Sequence, residues 1–250
     1  MSNLERINPV IVNYRTPDLT LKCVASIVSQ QVATRADIIV VENASPDDSY
    51  SRLSQQLQGM RLIKAKTNGG FGAGVNLGAA VCERDYILVL NPDTYFEDHS
   101  IEKAIGVLDA RPDVGIAGLD LVHPGGERQY SARRFYSLLD VIGRRLPIGR
   151  YWPVKLHIDR HMMLSAWDSG EPFDAEWVMG TGFLVRRELF ARLGGMDEAY
   201  FLYMEDVDLC ARIWQAGSRV VCVPQARLVH DHQRTSAAGP FSWAGRLHLQ

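Results

Sequence analysis

The stretch YILVLNPD, residues 86–93, sets the pattern from which the fold of this chain can be predicted. Its apolar run is typical of a strand buried on both faces of a sheet, and Asn91-Pro92 ends that run. Asp93 therefore stands just beyond the end of a predicted strand. A carboxylate at that position could bind a hard divalent cation or cap the next helix, and the local sequence favours neither role.

Similar apolar runs precede this stretch and alternate with helical patterns. They are Val10–Val12, Asp37–Val41 and Arg61–Ala65. Strands that alternate with helices predict an α/β fold with a mostly parallel sheet covered by helices on both faces. Polar residues follow these strands, namely Asn13, Glu42, Asn43, Asn68 and Asp93. Because open α/β sheets bind ligands beyond the carboxyl ends of their strands, we expect these side chains to converge on one rim.

The alternation of strands and helices weakens after about residue 120. No clear period runs through 123–175, after which the pattern predicts further strands and helices. These are a strand at Gly182–Arg186, helices at Arg187–Leu193 and Asp206–Ala216, and a strand at Arg219–Val223. Because no linker or repeat is visible, we predict a single domain over 1–250. Its halves would be about 8–120 and about 121–250.

Composition narrows the class of protein. The formal net charge of -2 gives no support for nucleic-acid binding, and 250 residues can bury a sizeable core. The cysteines are far apart in the sequence, which predicts reduced, buried thiols of a cytosolic protein; they are Cys23, Cys82, Cys210 and Cys222.

With no signal-peptide pattern and no apolar run of ~20 residues, we expect a cytoplasmic location with at most peripheral membrane contact. The oligomeric state cannot be predicted from the sequence.

A glycine-rich stretch, NGGFGAG at 68–74, is predicted to be a loop that leads into a helix. Backbone N–H groups at such a helix start can bind phosphate, although a glycine turn without a ligand is the alternative. The dinucleotide fingerprint Gly-x-Gly-x-x-Gly is not met, because its third glycine would fall on Val75 or Leu77. The stretch therefore argues against an NAD-type oxidoreductase.

Two polar clusters lie in the second half of the chain. Glu205-Asp206-Val207-Asp208 opens a predicted helix after the aromatic run 200–203. Acids there stabilise the helix dipole, or one of them acts as a general base with a pKa raised by the apolar surroundings. His230-Asp231-His232 follows a predicted strand and could supply a metal ligand or be structural. The spacing of histidines and cysteines does not fit a zinc site.

Taken in order, these pieces resemble the family 2 glycosyltransferases of the GT-A fold, with bacterial rhamnosyltransferase-like members as the nearest likeness. The resemblance covers roughly residues 8–235. It is carried by VNY (12–14), VENAS (41–45), NGGFGAGVN (68–76), NPD (91–93), GTGFLVRR (180–187) and FLYMEDVDL (201–209). It implies a nucleotide-sugar-binding first half and an acceptor-binding, catalytic second half.

The resemblance also implies roles for the matching residues. Those that would bind the donor are Asn13, Tyr14, Arg15, Glu42, Asn43, Asn68, Gly70, Phe71, Asn76, Asn91 and Asp93. Asp93 matches the last acid of the family's Asp-x-Asp motif and, with His230, would hold Mg²⁺ or Mn²⁺. Asn91 stands where the first acid of that motif would be, so metal binding would depend on fewer charges.

The implied reaction is an inverting, single-displacement sugar transfer. Asp206 would deprotonate the acceptor hydroxyl, and Trp177 and Glu205 would border the acceptor. The resemblance makes deoxythymidine-diphosphate-L-rhamnose the first candidate donor. The acceptor would be a glycan or lipid-linked glycan of a bacterial cell-surface polysaccharide.

The segment 133–160 is strongly basic. Its cations are Arg133, Arg134, Arg144, Arg145, Arg150, Lys155 and Arg160, opposed there by Asp140 and Asp159. Aromatic and aliphatic residues are interleaved with these charges. A basic amphipathic segment can lie on an anionic membrane, which would suit a lipid-linked acceptor. A solvated loop with a few buried anchors is the alternative.

Two other functional classes stay open. A sugar nucleotidyltransferase resembles this fold but carries a glycine-rich loop after its first strand, where this chain has Asn13-Tyr14-Arg15. A non-catalytic sugar- or partner-binding module is disfavoured by the presence of Asp93, Asp206 and His230 together.

Overall fold

The structure, a computed structural model, describes residues 5–137 and 152–231. The strands are β1 Ile7–Asn13, β2 Ile39–Glu42, β3 Arg61–Lys64, β4 Tyr86–Leu90, β5 Thr94–Tyr95, β6 Val114–Val122, β7 Ala132–Arg133, β8 Phe173–Asp174, β9 Trp177–Val178, β10 Gly182–Arg186 and β11 Arg219–His230. The α-helices are α1 Pro17–Ser29, α2 Ser49–Gln56, α3 Gly70–Ala79, α4 Ile101–Ala110, α5 Trp152–His161, α6 Leu164–Trp167, α7 Arg187–Arg192 and α8 Glu205–Gln215.

The main sheet is mixed, with strand order β3-β2-β1-β4-β10-β6-β11-β5 and β8 paired to β11. The first four strands are parallel, as predicted, and β6 and β11 also pair in parallel. The parallel arrangement is interrupted by β10, which lies antiparallel between β4 and β6. The predicted α/β fold is confirmed, and β10 joins its two halves into one sheet.

Each face of the sheet has its own apolar core. Alternate residues of one strand point to opposite faces, so Ile11 packs with α1 and α4 while Val10 and Val12 pack against α3. Because most of the strand side chains are buried on both faces, the strands read as continuous apolar runs in the sequence.

The glycine-rich stretch differs from the prediction, because α3 already begins at Gly70. Gly70, Gly72 and Gly74 thus lie in the helix rather than in a loop before it, and Gly69 precedes its first turn. The reason is close packing on β1: a Cβ on Gly74 would lie 2.6 Å from Cγ1 of Val12. The small residues therefore let α3 approach the sheet, which is a structural role that the loop interpretation missed.

The last strand is longer than predicted. We expected a strand at Arg219–Val223 followed by a loop, but β11 continues to His230. An irregularity in its pairing with β6 between Val223 and Arg227 accommodates Pro224. Beyond it the strand pairs with β5, with His230 opposite Thr94. The extension carries the end of β11 to the loop that follows β4.

The cysteines are free, buried thiols, as predicted. In the part of the chain that the structure describes, no helix is long and apolar enough to cross a membrane.

Candidate active site

The polar residues after β1, β2 and β3 converge on one rim, as the sequence predicts. Asn43 donates from Nδ2 to Oδ1 of Asn68 at 2.9 Å and to the Gly70 carbonyl at 3.0 Å. Its backbone N–H donates to the Asn13 carbonyl at 2.9 Å. In turn, Oδ1 of Asn13 accepts from the Thr20 hydroxyl at 2.9 Å, which ties the rim to α1. These contacts fix the orientation of side chains that a ligand would meet.

Several polar atoms on this rim are buried and lack a hydrogen-bond partner among the described residues. They are Nδ2 of Asn13, Oε2 of Glu42 and Oδ1 of Asn43. Leaving such a group buried and unpaired costs roughly 1–3 kcal/mol. One donor and two acceptors on this rim are therefore available to a polar ligand.

The loops above these strands have strained backbones. Arg15 and Ala44 both adopt the left-handed region, with φ of 59° and 56°, which non-glycine residues rarely do. The Arg15 N–H donates to Oγ of Ser45 at 3.0 Å, so the two strained loops support each other. The side chains of Tyr14 and Arg15 are exposed above the rim.

A second part of the site pairs Asp93 with His230. Nε2 of His230 lies 3.3 Å from Oδ2 of Asp93, and the Asp231 N–H donates to the Asp93 carbonyl at 2.9 Å. The other carboxylate oxygen, Oδ1, is buried without a hydrogen-bond partner in the described part of the chain. A carboxylate oxygen and an imidazole nitrogen are groups of the kind that could serve as ligands for a divalent cation.

Within 5–137 and 152–231 no group of three His, Cys, Asp or Glu side chains is close enough to hold a metal. The protein residues placed at the expected site are thus Asp93 and His230, which fits a cation whose remaining ligands would come from a diphosphate and water. His232 lies outside the described residues.

A short chain of contacts connects this pair to Asp206. The Asn91 N–H donates to the Thr181 carbonyl at 3.0 Å. The neighbouring residue, Gly180, donates its N–H to Oδ2 of Asp206 at 2.7 Å. A Cβ on Gly180 would lie 3.5 Å from the ring of Phe71, so α3 borders the same place. The Asp93, Asp206 and Asn43 regions are therefore linked through neighbouring residues.

Two adjacent acids at the start of α8 are held in a low-polarity environment. Burial raises the pKa of Asp206, while the Gly180 and Val207 N–H groups and the positive charge of Arg133 oppose that rise. Burial, with a smaller contribution from Asp206, raises the pKa of Glu205 to about 7. Before them, Tyr203 and Met204 both have positive φ, 68° and 73°, and strain of this kind is typical of functional sites.

Some predicted site residues lie in positions that limit their roles. Trp177 is buried, and its indole N–H donates to the Arg134 carbonyl at 2.8 Å, so it presents little surface to an acceptor. Asn76 uses both ends of its amide on the loop after α7, at Met196 and Glu198.

The first backbone N–H groups of α3 donate to acceptors within the protein. The Gly70 N–H donates to Asn68 Oδ1 at 3.0 Å and the Phe71 N–H donates to the Phe201 carbonyl at 3.2 Å. The phosphate-binding role suggested for this helix start would need these N–H groups, which already have acceptors.

Sequence reasoning did not single out three residues of the site. Gly180 holds Asp206 and belongs to the GTGFLVRR motif, so the motif carried a signal for it. Arg133 lies over the Trp177 ring at 5.4 Å, near enough to Asp206 to affect its pKa. Gln129 contacts His230 from a region without periodicity, and no sequence pattern marks it.

The basic segment is described only in part. Arg133 and Arg134 are at β7 and beyond it, and the cations Arg144, Arg145 and Arg150 lie outside the described residues.

Residues 10–194 match glycosyl transferase family 2, and the chain belongs to this family. Residues 160–234 also match the N-terminal domain of galactosyltransferase. The chain is a glycosyltransferase.

Relatives with assigned names support the same class. The chain is 29% identical over 251 residues to N-acetylglucosaminyl-diphospho-decaprenol L-rhamnosyltransferase of Mycobacterium tuberculosis, covering 96% of this chain and 81% of that protein. It is 29% identical to rhamnosyltransferase WbbL of Escherichia coli, covering 85% and 79%.

Among solved structures, the fold is similar to that of the mannosyltransferase PcManGT from Pyrobaculum calidifontis in complex with GDP-Man and Mn²⁺. The TM-score is 0.66 at 16% identity, covering 92% of this chain and 58% of that one. This likeness confirms the GT-A fold predicted from the sequence.

Proposed function

We propose that this enzyme is an inverting, metal-dependent transferase that moves L-rhamnose from deoxythymidine-diphosphate-rhamnose to a hydroxyl group of a lipid-linked glycan. The observation that carries the proposal is the connection of Asp206, through Gly180 and the adjacent Thr181, to Asn91 and the Asp93–His230 pair. This connection supports a base for the acceptor that works next to a cation site for the leaving group. The sugar and the acceptor are inferred from the names of the two rhamnosyltransferase relatives.

In this proposal Asp206 accepts the proton of the acceptor hydroxyl. The acceptor oxygen then bonds to the anomeric carbon as the bond from that carbon to the phosphate oxygen breaks, and the diphosphate leaves with the electron pair. Burial raises the pKa of Asp206 and makes it a stronger base. General-base help of this kind contributes about 10²–10⁴-fold to a rate.

The donor is held by the rim. The unpaired buried atoms of Asn13, Glu42 and Asn43 are proposed to receive the base and ribose. Asp93 and His230 are the residues that would hold Mg²⁺ or Mn²⁺. Such an ion, when bound, neutralises the negative charge that develops on the departing diphosphate.

A donor and acceptor panel tests the proposal directly. Nucleoside diphosphate release is measured from UDP-, GDP- and dTDP-sugars with Mg²⁺ or Mn²⁺, with and without a synthetic N-acetylglucosaminyl-diphospho-lipid. We expect acceptor-dependent release from dTDP-rhamnose. Formation of a nucleotide sugar from a nucleoside triphosphate and a sugar phosphate would instead identify a nucleotidyltransferase, and donor binding without any turnover would identify a binding module.

We also propose that the enzyme works at the cytoplasmic face of the membrane, with segment 133–160 in contact with it. The support is the excess of basic over acidic residues in this segment and the lipid-linked acceptor named for the mycobacterial relative. Co-sedimentation with anionic vesicles should fall when Arg144 and Arg145 are both replaced by Glu. Equal recovery of both proteins with anionic and neutral vesicles would contradict this part of the proposal.

A further inference from the structure

The Gln129 side chain makes contacts that determine how its amide is oriented. Nε2 donates to the His230 carbonyl at 2.9 Å and lies 3.1 Å from Nδ1 of His123. Oε1 lies 2.7 Å from Nδ1 of His230. All three contacts are hydrogen-bond distances.

Only one orientation of the amide satisfies these contacts. The His230 carbonyl can only accept, so the atom that faces it must be the NH₂ group. The reversed amide would place two carbonyl oxygens against each other. With the NH₂ group assigned, Oε1 faces Nδ1 of His230, and Nδ1 must carry a hydrogen to donate to it.

The position of Gln129 is fixed by the backbone. Its N–H donates to the Leu121 carbonyl at 2.8 Å, and a bridge pairs Val122 with Arg128. The tight turn between them is closed by the Gly126 N–H, which donates to the His123 carbonyl at 2.8 Å. The amide is therefore supported by a hairpin at the end of β6, next to the end of β11.

We propose that Gln129 is a positioning residue that keeps the hydrogen of His230 on Nδ1 and so presents Nε2 to the cation at Asp93. The inference rests on the proposed function, since it concerns the cation site of that function. Partners of a metal-bound imidazole orient the ring and set its tautomer, and losing them typically weakens metal affinity about 10–100-fold.

Matched variants separate this role from a structural one. Gln129→Met removes the acceptor for Nδ1 and also the donor to the His230 carbonyl. Gln129→Glu keeps an acceptor for Nδ1 but loses the donor to the carbonyl. His123→Ala removes the other contact of the amide and leaves both contacts with His230, so it serves as the control. Thermal denaturation of each variant identifies any loss of the fold.

Two measurements are made on each full-length protein. Long-range ¹H–¹⁵N spectra of the metal-free chain at pH 8 report which nitrogen of His230 carries a hydrogen. Mn²⁺ binding is followed by electron paramagnetic resonance, in the presence of whichever of UDP, GDP or dTDP the wild type binds most tightly.

We expect a hydrogen on Nδ1 in the wild type, in Gln129→Glu and in His123→Ala, and its loss in Gln129→Met. We also expect Mn²⁺ affinity to fall 10–100-fold in Gln129→Met, with Gln129→Glu retaining most of it. A wild-type His230 without a hydrogen on Nδ1, or unchanged Mn²⁺ affinity in a folded Gln129→Met, would overturn the inference. So would a wild type that binds no Mn²⁺ with any of the nucleotides.

Failure of the proposed function gives a different result. If no donor is turned over while the tautomer and the Mn²⁺ affinity both respond to Gln129→Met, the positioning role stands and the assigned transfer reaction is wrong.

Discussion

Gly180, in the connection between β9 and β10, orients the carboxylate of Asp206. Its N–H donates to Oδ2 of that carboxylate at 2.7 Å. The other oxygen, Oδ1, accepts from the Val207 N–H at 2.8 Å. A carboxylate held at both oxygens keeps one direction, which is the property that the proposed role as a base requires.

Asp206→Asn should abolish most of the transfer while leaving donor binding intact. The amide is close to the carboxylate in shape but cannot take a proton, so we expect kcat to fall by about 10²–10⁴-fold. The control is Asp208→Asn on the same helix, where the carboxylate pairs with Arg212. Retained turnover in Asp206→Asn would remove this residue from its assigned role.

Gly180→Ala should impair the same base without removing it. The added Cβ would lie 3.3 Å from Cβ of Asp206 and 3.4 Å from its Oδ2. Because small displacements of catalytic groups are costly, we expect kcat to fall by about tenfold with little change in stability. Gly125→Ala is the control, since nothing lies within 4 Å of a Cβ there. Equal activity of both variants would contradict the assigned contact.

Asp93→Ala should weaken nucleotide binding only when metal is present. Removing one of two protein ligands lowers the affinity for the cation and, through it, for the diphosphate. Calorimetry of dTDP binding with Mg²⁺ and with a chelator measures this difference directly. Asp98→Ala, an exposed position in the connection between β5 and α4, should behave as the wild type. A loss that is the same with and without metal would count against a cation at Asp93.

Glu205→Gln should change how stability depends on pH. The pKa of Glu205 is about 7 in the fold, against an ordinary value of 4.5. Between these values the folded chain holds a proton that the unfolded chain has released, so the free energy of unfolding falls as pH rises from 4.5 through 7. The full effect corresponds to about 3 kcal/mol.

Urea denaturation at pH 5 and pH 8.5 tests this prediction. The wild type should lose stability between the two conditions, and Glu205→Gln should lose less, with the remaining fall arising from Asp206, whose pKa is also raised. The control is Glu102→Gln, at an exposed position in the first turn of α4. A wild type and a Glu205→Gln variant with the same pH dependence would show that this acid is not perturbed.

The first half of the fold could be predicted because its information is local. Buried parallel strands are continuous apolar runs, and their ends are marked by polar residues such as Asn13 and Asn43. The second half could not be predicted in the same way. The antiparallel β10 and the extension of β11 past Pro224 depend on pairing with distant strands. Sequence patterns do not report that pairing.

The residues of the candidate site show the same difference between local and long-range information. Asp93 and Asp206 were singled out as candidates by their places after a strand and at a helix start, and the resemblance supplied their predicted roles. Gln129 was missed because its role depends on one amide meeting one imidazole across the fold. Trp177 was assigned to the acceptor surface by resemblance, whereas packing buries it. Resemblance identifies a residue's neighbourhood but does not report how much of its side chain reaches solvent.

The pairing of β5 with the end of β11 has a consequence for synthesis on the ribosome. The rim residues from Asn13 to Asn68 lie in or shortly after β1, β2 and β3, which are synthesised first. Asp93 meets His230 only when β11 has paired with β5. More than half of the chain separates these two residues. A nascent chain can therefore pair its first strands early, but Asp93 and His230 come together only after residue 230 has left the exit tunnel.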